Sequence, residues 1–294
     1  NKITISFSMI ISTIHIKYMK LSGNLFLEKN YMKGNLKKMR AFGYNPVQYR
    51  LELEGTEIVM NELVGSEISF HFTGVINCTI CGKKTKKSFS QGLCYSCFSN
   101  APENAPCIIR PELCEGHLGK GRNPEWELKY HVQPHIVYLA LTSKVKVGVT
   151  RKTQIPTRWI NQGAWKAIIL AETPNRYLAG KIEVALKEHR SDKTSWQKML
   201  TNECNNDIDL EDEKDEVADL LPGEFQDYYS YDSEVLEIKY PVLEYPKKVK
   251  SLSFDKTPDI KEKLIGIRGQ YLLFESGNVL SIKKHSGYLV ELGD

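Results

Sequence analysis

The stretch CTICGKKTKKSFSQGLCYSC places Cys78, Cys81, Cys94 and Cys97 in two C-x-x-C pairs with twelve residues between them. Such a turn aims both thiolates at one ion, and Gly82 after the second cysteine permits the tight backbone of a metal knuckle. Two knuckles close a tetrahedral site, so the expected role is structural zinc with no position left for a substrate. The competing reading, redox dithiols, fits poorly with basic residues lying between paired knuckles. Farther on, CIIRPELCEGH offers Cys107, Cys114 and His117 as ligands of a second zinc whose fourth ligand is unidentified. His131 and His135 follow, and the alternative is a pair of buried thiols packed under the ribbon. Cys204 stands alone.

A second group of residues has the types that phosphodiester hydrolysis needs: a base, a cation near the developing charge, and a carboxylate for a divalent ion. Tyr138 would be the base if nearby cations lower its pKa, and Arg158 and Lys146 would hold the phosphate. Glu183 would bind Mg²⁺ or Mn²⁺ through oxygen. Each also has a plainer reading: Tyr138 in a core, Lys146 and Arg158 on the surface, Glu183 paired along a helix. Between the cysteine pairs, Lys83, Lys84, Lys86 and Lys87 beside Phe89 suit contact with phosphates and bases, and Arg151 is a further candidate nucleic-acid contact. A solvated loop is the alternative.

The elements that must position these groups are legible as patterns. Residues 47–76 alternate in short runs that predict two or three strands, and the cysteine block, 78–117, has too little aliphatic material for a core of its own. HIVYLAL and KVKVGVT, separated by Thr142-Ser143-Lys144, predict a hairpin. Pro156 suits the first turn of the helix in TRWINQGA, which a glycine closes. After the strand AIILAE, the segment RYLAGKIEVALKEH sets Leu178, Ile182, Ala185 and Leu186 on one helical face. The acidic run NDIDLEDEKDEVADLL predicts a surface helix or linker. The remainder reads as strands with a turn near Ser276-Gly277-Asn278, forming a small β-unit that pairs with the strands of 47–76.

The formal net charge of +4 hides an asymmetry: residues 78–200 hold 20 Lys/Arg against 9 Asp/Glu, and residues 203–237 hold 1 against 14. A polyanion-facing surface beside an acidic one accounts for this division, as do two solvated faces. Seven cysteines, four of them in C-x-x-C pairs, fit metal binding in a reducing, cytoplasmic compartment better than a disulfide framework. The first 18 residues are too short and too rich in Ser and Thr for a membrane span, and no anchor or signal peptide is expected.

The order of elements resembles the GIY-YIG endonuclease superfamily, in which a hairpin carries Tyr in the first strand and Gly in the second, followed by a helical Arg and a later helical Glu. The matching residues are Ile136-Val137-Tyr138, Lys146-Val147-Gly148, Arg158 and Glu183. The first Gly of that pattern is absent and Lys146 stands in place of the second Tyr. The terminal polar residue of the motif set would fall near Asn202. The resemblance covers about 128–202 and implies a metal-dependent nuclease fold. Residues from about 40 to 294 also resemble a bacterial family known as domain of unknown function 2797, through RPELCEGHLG, VYLALTSKVKVGVTR, RWINQGAWKA and TPNRYLAGKIEVALKEH. That resemblance implies that the cysteine block and the hairpin work as one unit and brings no reaction with it.

The expectation is therefore an α+β chain: an extension or fragment artefact at 1–31, an N-terminal β segment at 32–77, zinc-binding residues at 78–127, a GIY-YIG-like domain at 128–202, an acidic segment at 203–233, and a C-terminal β-unit at 234–294. The expected function is a nucleic-acid-binding zinc protein, acting on DNA or RNA as a Mg²⁺- or Mn²⁺-dependent nuclease. The alternatives are a non-catalytic binding module on a nuclease-derived fold and a zinc-stabilised protein-interaction scaffold.

Overall fold

The structure, a computed structural model, describes residues 32–187, 195–203 and 207–293. The expected extension at 1–31 and Cys204 lie outside the described residues. The fold is α+β, with three sheets.

The predicted hairpin is present as strands His135–Leu141 and Val145–Arg151, paired antiparallel with Tyr138 opposite Gly148. On its other side His135–Leu141 pairs with Lys166–Thr173, and the short strand Leu236–Glu237 completes a four-stranded sheet. Every residue of His135–Leu141 is buried. An unbroken apolar run of this kind belongs to a strand covered on both faces. One face carries Val137, Leu139 and Leu141, and there helix Arg176–Lys187 lays down Ala179, Ile182 and Leu186. Helix Leu210–Ala218 adds Leu210 and Val217 to the same cluster. This helix is the acidic run. Asp209 caps it through Glu211 N, and Glu211, Asp212 and Glu213 lie in the first turn, where the helix dipole favours negative charge. Lys214 turns inward to donate to Ser230 O and Ser233 Oγ.

The opposite face carries Ile136, Tyr138 and Ala140 into a larger cluster shared with the other two sheets. The eight-stranded sheet interleaves the two ends of the described chain. Strand Glu67–Asn77 lies between Asp259–Arg268 and Tyr288–Gly293, with Met32–Asn35 beyond the latter. The C-terminal strands thus pair with residues of 47–76, but only with the last stretch of that region. Arg40–Phe42, Gln48–Leu53 and Thr56–Val59 form a three-stranded sheet of their own. The turn near Gly277, at φ +83°, joins Tyr271–Phe274 to Asn278–Ser281.

Arg268, at the end of strand Asp259–Arg268, is fully buried where the sheets meet. Its Nε and Nη2 donate to Gly163 O at 3.1 and 2.9 Å, and Nη1 donates to Asn202 Oδ1 at 3.1 Å. The guanidinium lies 4.4 Å from the ring centroid of Trp165 and 5.2 Å from that of Tyr240. Gly163 ends helix Thr157–Asn161, as the sequence predicts, at φ +73°. The planar fork and its stacking set this interaction apart from a point charge. Arg268→Lys and Arg268→Met should each lower unfolding free energy by on the order of 3 kcal/mol in urea denaturation. Wild-type stability of the Lys variant would show that the fork is dispensable.

Candidate functional site

The first cysteine cluster forms at the end of a strand. Cys78 follows Glu67–Asn77, and its carbonyl accepts from Gly82 N at 2.9 Å. Gly82 sits at φ +70°, the left-handed backbone that the knuckle requires. Cys94 begins the second knuckle and precedes helix Tyr95–Asn100. The sulfurs of Cys78, Cys81, Cys94 and Cys97 all lie within 4.8 Å of one another, and Cys81 Sγ and Cys94 Sγ are 3.8 Å apart. Tetrahedral coordination at a metal–sulfur distance of about 2.3 Å gives sulfur separations of about 3.8 Å, so the four thiols fit one ion such as zinc. Burial opposes ionisation of Cys78, but the N–H groups of Cys81, Cys94 and Ile80 and the Cys81 thiol outweigh it and bring its pKa down to about 6. Cys97 is pushed up to about 12 by desolvation and by the three other thiols. A divalent ion would let all four exist as thiolates.

The ribbon tip carries the lysines. Lys83, Lys84, Lys86 and Lys87 are exposed, and Lys84 belongs to the short strand Lys84–Thr85 paired against Ile76 and Asn77. Lys87 Nζ lies 5.5 Å from the Phe89 ring centroid. Phe89 in turn contacts Tyr95 and Phe98, which are 67% and 37% exposed.

Tyr138 and the helix that carries Glu183 pack on opposite faces of the sheet, whereas Arg158 and Glu183 both act electrostatically on Arg176. Tyr138 has no exposed surface, packs edge-on to Trp159, and its hydroxyl accepts from Gln162 Nε2 at 2.5 Å. Its ring explains Gly148: a Cβ there would lie 2.6 Å from Tyr138 Cζ. A general base at this position would need water that the packing excludes. Lys146 lies opposite Ala140 on the same face of the hairpin, and helix Thr157–Asn161, which carries Arg158, packs Trp159 and Ile160 there. Glu183 lies on the helix covering the other face, buried, with Lys187 Nζ 3.3 Å from its Oε1. Asn202 accepts from Arg268 and so belongs to the junction between sheets.

Arginines gather at the edge of this sheet. Arg151, Arg158 and Arg176 line one cavity of about 170 Å³ together with Thr150, Gln154, Tyr130 and His131. Arg176 is anchored by bonds to Cys107 O at 2.9 Å and Ile108 O at 2.8 Å. The Arg151 guanidinium lies 5.0 Å from the Tyr130 ring centroid. Arg158 Nε is buried without a hydrogen-bond partner. Lys283 is brought down to about 8 by burial and then by the charges of Arg158 and Lys38, so positive charge extends past Arg158. Arg176 and Arg151 came from different segments, and of the two the sequence marked only Arg151.

The second cysteine cluster is not the one expected. Cys107, Cys114, Glu127 and His131 converge with their ligand atoms within 4.8 Å of one another, all four buried. His117 lies outside this group: it is exposed, stacked on Tyr177 at 4.7 Å, and lines a cavity of about 810 Å³. Glu127 and His131 sit four residues apart on helix Pro124–His131, a spacing that puts both on one helical face. That spacing is the sequence signal for Glu127, which cysteine and histidine spacing alone does not reveal. The Cys107–Cys114 segment is held against helix Arg176–Lys187 by a close approach at Gly180, where a Cβ would lie 2.2 Å from Glu112 N.

The family model described as "Protein of unknown function (DUF2797)" matches residues 65–290, which include both cysteine clusters, the hairpin and the arginines. The chain belongs to this family. No curated protein and no solved structure matches it. The DUF2797 match begins just before strand Glu67–Asn77 and leaves the three-stranded sheet outside. Among the described residues no helix is long and apolar enough to cross a membrane.

His135, at the start of the central strand, makes the site sensitive to acid. Its Nδ1 contacts Gln133 O at 2.7 Å, and Nε2 is buried without a partner. Burial, aided by the charges of Arg176, His131 and Arg151, pulls its pKa down to about 4. The unfolded chain takes up this proton below about pH 6.5 and the folded chain only near 4, so stability is lost as pH falls through that window. Denaturant unfolding should show a decline on the order of 2 to 3 kcal/mol from this group. His135→Gln should flatten that part of the pH profile, and an unchanged profile would assign the effect elsewhere.

Proposed function

We propose that the protein is a zinc-binding, nucleic-acid-binding member of its family that uses a nuclease-like hairpin for phosphate recognition without cleaving the strand. The observation that carries this reading is the cavity edged by Arg151, Arg158 and Arg176. Three guanidiniums around a space of about 170 Å³ suit a phosphate group, since Arg offers paired N–H donors to phosphate oxygens. Arg176 is held by two carbonyls and Arg158 keeps an unpaired donor, so the cavity is built to receive an acceptor.

The zinc ribbon supports the same reading. Zinc in the four-cysteine cluster would fix the short loop that displays Lys83, Lys84, Lys86 and Lys87, and the exposed faces of Tyr95 and Phe98 would offer stacking surfaces to unpaired bases. The order strand, strand, helix, strand and helix between His135 and Lys187 supports the nuclease-like reading suggested by the sequence around Gly148 and Arg158. The complete burial of Tyr138 favours binding over hydrolysis.

Fluorescence anisotropy with labelled single-stranded, duplex and branched DNA and RNA tests the proposal. Affinity should fall steeply with salt, and Arg158→Gln and Arg151→Gln should each weaken binding and lower the slope of log K against log salt by about one. Glu183→Ala should bind as wild type, and no substrate should be cut with Mg²⁺ or Mn²⁺. Binding that ignores salt or both arginine substitutions would overturn the phosphate reading, and cleavage abolished by Glu183→Ala would restore the enzyme.

A further inference from the structure

We propose that Cys107, Cys114, Glu127 and His131 form a second zinc site, which staples helix Pro124–His131 to the segment beneath it. Two sulfurs, one imidazole nitrogen and one carboxylate oxygen lie within 4.8 Å of one another, and their residues are 7%, 2%, 1% and 3% exposed. Cys114 Sγ is 3.4 Å and Cys107 Sγ 3.9 Å from His131 Nδ1. This donor set of borderline-soft sulfur and nitrogen with one hard oxygen is one that zinc accepts in tetrahedral geometry.

The Glu127 carboxylate separates a metal site from a pair of packed thiols. Its side chain is 2% exposed, and the ion-pair partner it has among the described residues, His131, belongs to the same cluster. Oε2 contacts His131 Nδ1, so two candidate ligand atoms from one helical face already converge beside the two sulfurs. Neither a Cys107–Cys114 disulfide nor two free thiols accounts for a carboxylate and an imidazole buried together against the sulfurs.

The surroundings complete the site. With both thiols ionised, two thiolates, one carboxylate and a divalent cation leave a single negative charge. The Arg176 guanidinium, bonded to Cys107 O and close enough to interact with both thiols, balances it. Glycines allow the walls to close: a Cβ at Gly116 would lie 3.3 Å from His131 Cβ and 3.5 Å from Cys114 Sγ, and one at Gly121 would lie 2.4 Å from Glu127 Cγ. Such outer contacts hold ligands in register. The proposal does not depend on nucleic-acid binding, although His131 also lines the arginine cavity.

Metal analysis of the full chain, purified without chelator, tests it. Wild type should carry two zinc ions per chain, His131→Ala and Cys114→Ser one, and His117→Ala two. Should those variants fail to fold, Co²⁺ titration of the wild-type chain decides: two equivalents are expected, with sulfur-to-cobalt charge-transfer absorption rising for about six thiolates, four from one site and two from the other. One equivalent with a four-thiolate spectrum overturns the proposal, as does loss of an ion from His117→Ala with both retained in His131→Ala.

Discussion

A strand with no solvent face must find partners on both sides, and His135–Leu141 imposes that condition on the whole fold. One side is met locally by helices Arg176–Lys187 and Leu210–Ala218. The other is met by strands from the two ends of the described chain, brought together in one apolar cluster. Because neighbouring strand residues point to opposite faces, Tyr138 and Val137 cannot serve the same surface, and the split between the buried tyrosine and the Glu183 helix follows from that alternation. The arginine cavity lies at the sheet edge, where arginines from three segments meet beside Val145–Arg151.

What the sequence made legible was local. Periodicity located the hairpin, the helix carrying Ile182 and Leu186, and the glycine turn at Gly277, because each depends on residues a few positions apart. The four-cysteine cluster was legible for the same reason. Three features were not. The cage around Arg268 joins Gly163, Trp165, Asn202 and Tyr240, and no spacing rule connects them. The arginine cavity draws on residues 151, 158 and 176, which lie in three separate sequence blocks that no spacing rule brings together. In the second cluster, His117 had the inviting position three residues from Cys114, whereas helical geometry selected the pair Glu127 and His131.

The charge asymmetry also takes a physical form. The acidic run is a docked helix, fixed by its one lysine and by Leu210 and Val217, so Glu211, Asp212, Asp215 and Glu216 are exposed from a defined place. Basic residues gather on the ribbon tip and at the hairpin edge. The two signs therefore occupy different elements, and the modest net charge says little about the field that a polyanion would meet.

Strand Glu67–Asn77 carries a consequence of another kind. Both of its long neighbours come from the far end of the chain: His71 pairs with Asp259, 188 residues later, and Ser69 bonds Gly293 across 224 residues. During synthesis the ribbon and hairpin emerge long before those neighbours exist, leaving Glu67–Asn77 with both long edges open. Contacts so distant in sequence slow folding, and an open strand edge invites pairing with another chain. The nascent protein thus carries its central strand unprotected until Asp259–Arg268 and Tyr288–Gly293 arrive to close it.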